Sequence, residues 1–144
     1  MGTIKAICIS EKKGERKRPV SSVELRPDHG IVGDAHAGRW PRQVSLLPAE
    51  SIEKMRRRIP ELSDGDFAEN IVTTGVDLAR IDIGDRLQAG GGVVLEVTQI
   101  GKVCHNTCAI QQQTGECIMP REGVFCRVVT GGALRPGDPI WRNS

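Results

Sequence analysis

The chain has 144 residues, of which 38% are hydrophobic and 26% charged, with a formal net charge of +2. That length suits one domain with a real core, and that composition excludes a disordered or membrane-embedded chain. The small net charge, the 3% aromatic content and the lack of tyrosine speak against a nucleic-acid partner, since no stacking platform is offered.

The first residues, "MGTIKAICISEKKGERKR", hold no apolar stretch bounded by a cleavage site. No secretory leader is therefore expected, and the protein reads as cytoplasmic, where thiols stay reduced. A first β-type run covers 4–9. A basic run follows, with Lys12, Lys13, Arg16, Lys17 and Arg18 offset by Glu11 and Glu15. Further β-type runs fall at 20–25 and 43–47. The segment "PAESIEKMRRRIP" then places Ile52, Met55 and Ile59 on one helical face. Pro48 suits the first turn, Glu50 and Glu53 complement the dipole, and Pro60 stops the helix, which is predicted over 49–59. Its Arg56, Arg57 and Arg58 read as solvated surface.

Beyond the helix, β-type runs recur at 70–73, 86–89, 93–100, 124–130 and 140–142, with a weaker helical stretch at 109–113. Gly-Asp occurs four times, at Gly33, Gly65, Gly84 and Gly137, which is turn chemistry. Short strands at close spacing predict a mainly β, barrel-like single domain over 1–144 with one clear helix.

Three of the five cysteines, Cys104, Cys108 and Cys117, fall within fourteen positions, with His105 beside the first. A structural zinc site would need Cys104 and His105 to converge, yet neighbours in extended chain point to opposite faces. The c-type haem order and the thioredoxin-like spacing are both absent. Lys102 lies two residues before Cys104 at the end of an apolar run, on the same face, where a cation lowers a thiol pKa. These residues favour one reactive thiol and leave zinc open. Cys8 and Cys126 alternate with apolar residues and read as buried small hydrophobes.

Four separated stretches, "GIVGDAHAGRWPRQVSLL", "DFAENIVTTGVDLARIDIGDRLQAG", "VLEVTQIGKVCHNTC" and "GECIMPREGVFCRVVTGGALRPGDPI", resemble the MOSC domain, named from the C-terminal part of molybdenum cofactor sulfurases. The resemblance runs over nearly the whole chain. It implies a β-barrel that binds the molybdenum cofactor (Mo-molybdopterin), with Cys104 as the catalytic thiol and metal ligand, or as an acceptor of mobile sulfur. It also implies cofactor-binding roles for Lys17, His36, Arg42, Gln43, Glu69 and Asn70, with Lys102 beside the thiol. Arg and Lys suit a phosphate, and Asn, Gln and Glu suit a pterin edge. Cys126 departs from the pattern, where a small apolar residue such as alanine is expected. No role is carried over for Cys108 or Cys117.

The larger sulfurases carry a pyridoxal-phosphate domain, for which this chain has no room. The expected function is molybdenum-dependent reduction of N-hydroxylated compounds, with electrons from an external donor protein. The alternative is a non-catalytic sulfur or cofactor carrier that uses Cys104 as persulfide acceptor and takes sulfur from a donor protein. Neither reading involves a nucleic acid or a membrane.

Overall fold

The computed structural model describes residues 2–13, 15–101 and 123–143. Eleven strands lie among them: β1 (Gly2–Ile9), β2 (Arg18–Pro19), β3 (Val23–Arg26), β4 (Gly30–Ile31), β5 (Val44–Pro48), β6 (Ile71–Thr74), β7 (Arg86–Ala89), β8 (Val93–Ile100), β9 (Val124–Thr130), β10 (Gly132–Leu134) and β11 (Pro139–Asn143). One helix, α1 (Ala49–Arg56), follows β5, and a 3-10 turn spans Leu78–Arg80.

Seven strands run in the order β11-β7-β8-β9-β5-β6-β1, and β1 returns to pair with β11. The sheet thus closes into a barrel and removes its open edges. Strands β3, β4 and β10 form a small separate sheet whose Leu25, Ile31 and Leu134 join the barrel core.

Alternation decides which side chains go inside. On β8, Val93, Leu95 and Val97 point inward, and on β9 Val124, Cys126 and Val128 do the same. The strand β1 breaks the rhythm. A register shift between Ile4 and Ala6 inserts an extra outward position, so Ile4 and Ile7 share the interior while Ala6 and Cys8 face out.

Strands β5 and β6 are parallel, a geometry that a tight turn cannot join. The helix α1 supplies the crossover. Its Ala49, Ile52 and Met55 cover the outward-facing Ala6, Cys8, Leu47, Val72 and Phe125, and Leu62 and Phe67 complete this second core. Each fully buried Ile or Leu stabilises the fold by about 1.5–3 kcal/mol. Helix α1 ends at Arg56, three residues short of the predicted end, although Ile59 N still donates to Met55 O (2.9 Å) and Ile59 packs on the second core.

The run predicted at 20–25 is split. Val20 is no longer strand, and the chain pairs instead at Arg18–Pro19 with Cys8 and Ile9 and at β3 with β10. The glycines of all four Gly-Asp pairs have positive φ, between 89° and 97°. The stretch 109–113 lies outside the described residues. Among those described, no helix is long and apolar enough to cross a membrane.

Candidate functional site

The end of β1 and the loops that precede β2 and follow β4 meet around one buried ammonium. Lys17 is 3% exposed, although its neighbours in the basic run are at the surface. Its backbone N–H donates to Gly65 O (2.8 Å), and a Cβ on Gly65 would stand 2.1 Å from Lys17 O. Only glycine permits that approach, and it draws Lys17 inward.

The ammonium has three donors and finds three acceptors. Lys17 Nζ donates to Asp34 Oδ1 (2.7 Å), Ser10 Oγ (3.0 Å) and His36 Nδ1 (2.9 Å). Asp34 is equally engaged: Ser10 N donates to Oδ1 (3.1 Å) and His36 N to Oδ2 (3.1 Å). Both the backbone and the ring of His36 are therefore fixed by the Lys17–Asp34 pair. A Nδ1 that accepts from an ammonium leaves the ring proton on Nε2. His36 is half-buried, so this imidazole forms the outer end of the cluster.

Trp40 lies next to it. Its Nε1 donates to His36 O (2.6 Å), and the two rings are parallel, 6.1 Å apart. Lys13 Nζ stands 4.2 Å from the indole centroid and the Arg42 guanidinium carbon 4.7 Å. A cavity of about 510 Å³ opens on this side, lined by Trp40, Pro41, Gln43, Ile83, Val97 and Arg127 among others. Another, of about 570 Å³, lies between α1 and the 75–79 turn, with Ile100 and Val124 also on its wall, and among the described residues it includes none of those expected at the site.

Gln43, Glu69 and Asn70 were expected at a pterin edge, and the structure engages all three inside the fold. Gln43 Oε1 accepts from Val128 N (3.0 Å), and its Nε2 donates to Asp28 Oδ1 (3.1 Å). Asn70 ties three strands together: Oδ1 accepts from Ser45 N (3.0 Å), and Nδ2 donates to Cys8 O (3.1 Å). Glu69 is fully buried, and its carboxylate accepts from Gly65 N (2.8 Å) and Phe67 N (3.1 Å). Burial pushes its carboxyl up to about 7 against the pull of those backbone donors. Glu69 thereby holds the turn on which Lys17 rests.

Lys17 and His36 are thus brought into direct contact, Arg42 joins them through Trp40, and the other three hold the walls. Lys102 and Cys104, with His105, Cys108 and Cys117, lie outside the described residues. Cys8 and Cys126 are fully buried free thiols, as their alternation predicts. Burial, then the charge of Glu69, pushes Cys8 up to about 12, and burial also raises Cys126. No group of His, Cys, Asp and Glu suited to a metal ion occurs among the described residues.

Sequence reading missed Asp34, Ser10, Trp40 and Lys13. Asp34 carried one available signal, an aspartate in a Gly-Asp turn two residues before a histidine.

Solved structures of the same fold were found. The YuaD protein from Bacillus subtilis superposes with a TM-score of 0.79 at 19% identity, covering 97% of this chain and 94% of that one. YiiM from Geobacillus stearothermophilus gives 0.74 at 20%, covering 100% and 76%, and YiiM from Escherichia coli gives 0.72 at 18%, covering 100% and 70%. No curated protein matches the chain in sequence. The family model of the MOSC domain matches residues 33–141, from the glycine before Asp34 into the last strand, so the chain belongs to the MOSC domain family.

Proposed function

We propose that this MOSC protein binds the molybdenum cofactor and reduces N-hydroxylated compounds. The observation that carries the reading is the buried Lys17–Asp34 pair that fixes His36 beside Trp40, whose indole is flanked by the Lys13 and Arg42 cations. The donor set fits the cofactor: Lys13 and Arg42 are cations suited to a phosphate, and a ring protonated on Nε2 is a donor suited to a ring edge or an oxygen. Cys104 adds a soft thiolate of the kind that molybdenum takes.

Bound, the cofactor would supply the two-electron metal chemistry that oxygen removal needs, with electrons from an external donor protein. The chain's own residues do the rest. Arg42 anchors negative charge at the mouth. His36 presents its Nε2–H as a hydrogen-bond donor to the substrate oxygen, and the two protons that oxygen needs to leave as water come from solvent. Lys17 and Asp34 keep the ring proton on Nε2 by occupying Nδ1 and the His36 backbone. Glu69 and Asn70 keep the β1, β5 and β6 ends in register beneath them.

The test is expression in a cofactor-proficient host, elemental analysis, and turnover of an N-hydroxylated base with an artificial reductant. Stoichiometric molybdenum and turnover lost in Cys104→Ser are the expected result. Protein without molybdenum overturns the reading. Molybdenum without turnover leaves a carrier.

A further inference from the structure

The turn that carries Lys17 is wrapped around a carboxyl group removed from water. Glu69 is fully buried, and its oxygens accept from Gly65 N (2.8 Å) and Phe67 N (3.1 Å). Among the described residues it has no cationic partner. The ionisable groups around it are Asp64 and Asp66 on its own turn, with Cys8 and Lys17 from the segments packed against that turn. Lys17 directs its ammonium to Asp34, while Lys5 pairs with Asp64 (3.3 Å) and Arg16 with Asp66 (3.9 Å). A buried carboxylate without a cation favours its neutral form, so ionisation favours any opening that readmits water. The turn is held rather than relaxed: Ala68 takes a left-handed φ of 63°, uncommon for a residue with a Cβ. Its opening would not stay local. Gly65 O accepts from both Ala68 N (3.0 Å) and Lys17 N (2.8 Å), and Lys17 Nζ in turn holds Ser10, Asp34 and His36.

We infer that Glu69 is a pH-sensitive switch for the Lys17–His36 cluster: its ionisation loosens the 63–69 turn, withdraws Lys17 and frees His36 Nδ1. With Nδ1 free, the ring proton is no longer confined to Nε2, and the cluster loses its oriented donor. The carboxyl stands at about 7 in the closed turn, burial being the main cause, against 4.5 in water. Opening therefore grows as pH rises between those limits, by up to about tenfold per pH unit for one proton. The relay runs through the chain's own residues and needs no cofactor.

The experiment follows amide hydrogen exchange of the full chain by NMR across that window, with the intrinsic rate divided out. Protection of the Gly65, Phe67, Lys17 and His36 amides should fall up to about tenfold per pH unit and level off above the Glu69 midpoint. Low urea should leave these four unchanged while it speeds the Val97 amide, which donates to Asp85 O (2.8 Å), because a local opening exposes little surface. In Glu69→Gln the fall with pH should vanish. A carbon-13 titration of the Glu69 carboxyl in the natural chain needs no substitution, and its midpoint should coincide with the bend in Lys17 protection. Should the variant fail to fold, that coincidence decides. Flat protection, a slope confined to Gly65 and Phe67, a slope retained in Glu69→Gln, equal acceleration of all five amides by urea, or midpoints that differ overturns the inference. Absence of molybdenum or of turnover bears on the proposed activity alone and leaves the switch standing.

Discussion

Asp34 Oδ1 lies 2.7 Å from Lys17 Nζ, and neither side chain reaches solvent. Removing one member of such a pair strands a buried charge, which typically costs about 3–5 kcal/mol, whereas removing both is far milder. Asp34→Leu and Lys17→Met should each lower urea stability by that amount. The double variant should fall well short of the sum, giving a large coupling energy in a double-mutant cycle. Additive effects would mean that the two charges are solvated independently.

Glu69 gives the fold a pH dependence of its own. Its carboxyl is raised from 4.5 to about 7, first by burial and further by Asp64, against the backbone donors of Gly65 and Phe67. Asp66 and Lys17 also surround this pocket, through their influence on neighbouring Cys8. An acid whose folded pKa lies above its unfolded value binds more protons when folded. Its contribution to stability is therefore full below pH 4.5 and is lost as pH rises to about 7. Between those limits the loss amounts to about 3 kcal/mol. Urea titrations across that window should show the slope in the natural chain, and Glu69→Gln should flatten it. An unchanged slope in the variant would assign the dependence to another group.

The barrel was legible because its strands alternate. Runs such as 93–100 and 124–130 present every second residue to one core, and the predicted bounds match the observed strands. The strands β2, β4 and β10 were not legible, being two or three residues long and held by pairing partners far away in the chain. The site was legible only in part. His36 stands out in its turn, but Lys17 sits in a run of exposed charges and meets Asp34 seventeen positions away. Gln43, Glu69 and Asn70 flank strands, where polarity alone cannot separate a ligand contact from a tie between backbones. In the fold their side chains bond to Val128, Phe67 and Cys8, ties that the sequence does not reveal.

Two glycines with the same backbone conformation should respond differently to alanine. Gly65 has φ +93° and Gly84 φ +95°, so both substitutions incur the left-handed penalty of about 1–2 kcal/mol. Nothing stands within 4 Å of a Cβ on Gly84, whereas on Gly65 the Cβ would meet Lys17 O at 2.1 Å. Gly84→Ala should cost only the conformational penalty. Gly65→Ala should cost about 4 kcal/mol or more and displace Lys17, visible as a lost protection of the Lys17 amide in hydrogen exchange. Equal costs would remove the close approach as the reason for glycine at position 65.

Thiol reactivity should divide the five cysteines by environment. Cys8 and Cys126 are fully buried. Burial and the Glu69 charge push Cys8 up to about 12, so its thiolate fraction at neutral pH is on the order of 10⁻⁵. Iodoacetamide at neutral pH should therefore leave both unlabelled until urea is added, as peptide mass spectrometry would show. Cys104, with Lys102 two residues before it, is expected to label first in cofactor-free protein, and Cys104→Ser should abolish that fast phase. A structural zinc ion shared by Cys104, Cys108 and Cys117 would behave otherwise: all three would resist until a chelator is added and then label together as the protein unfolds. Fast labelling of Cys104 alone, unaffected by chelator, identifies it as the reactive thiol. Joint release by chelator would replace that assignment with a metal staple.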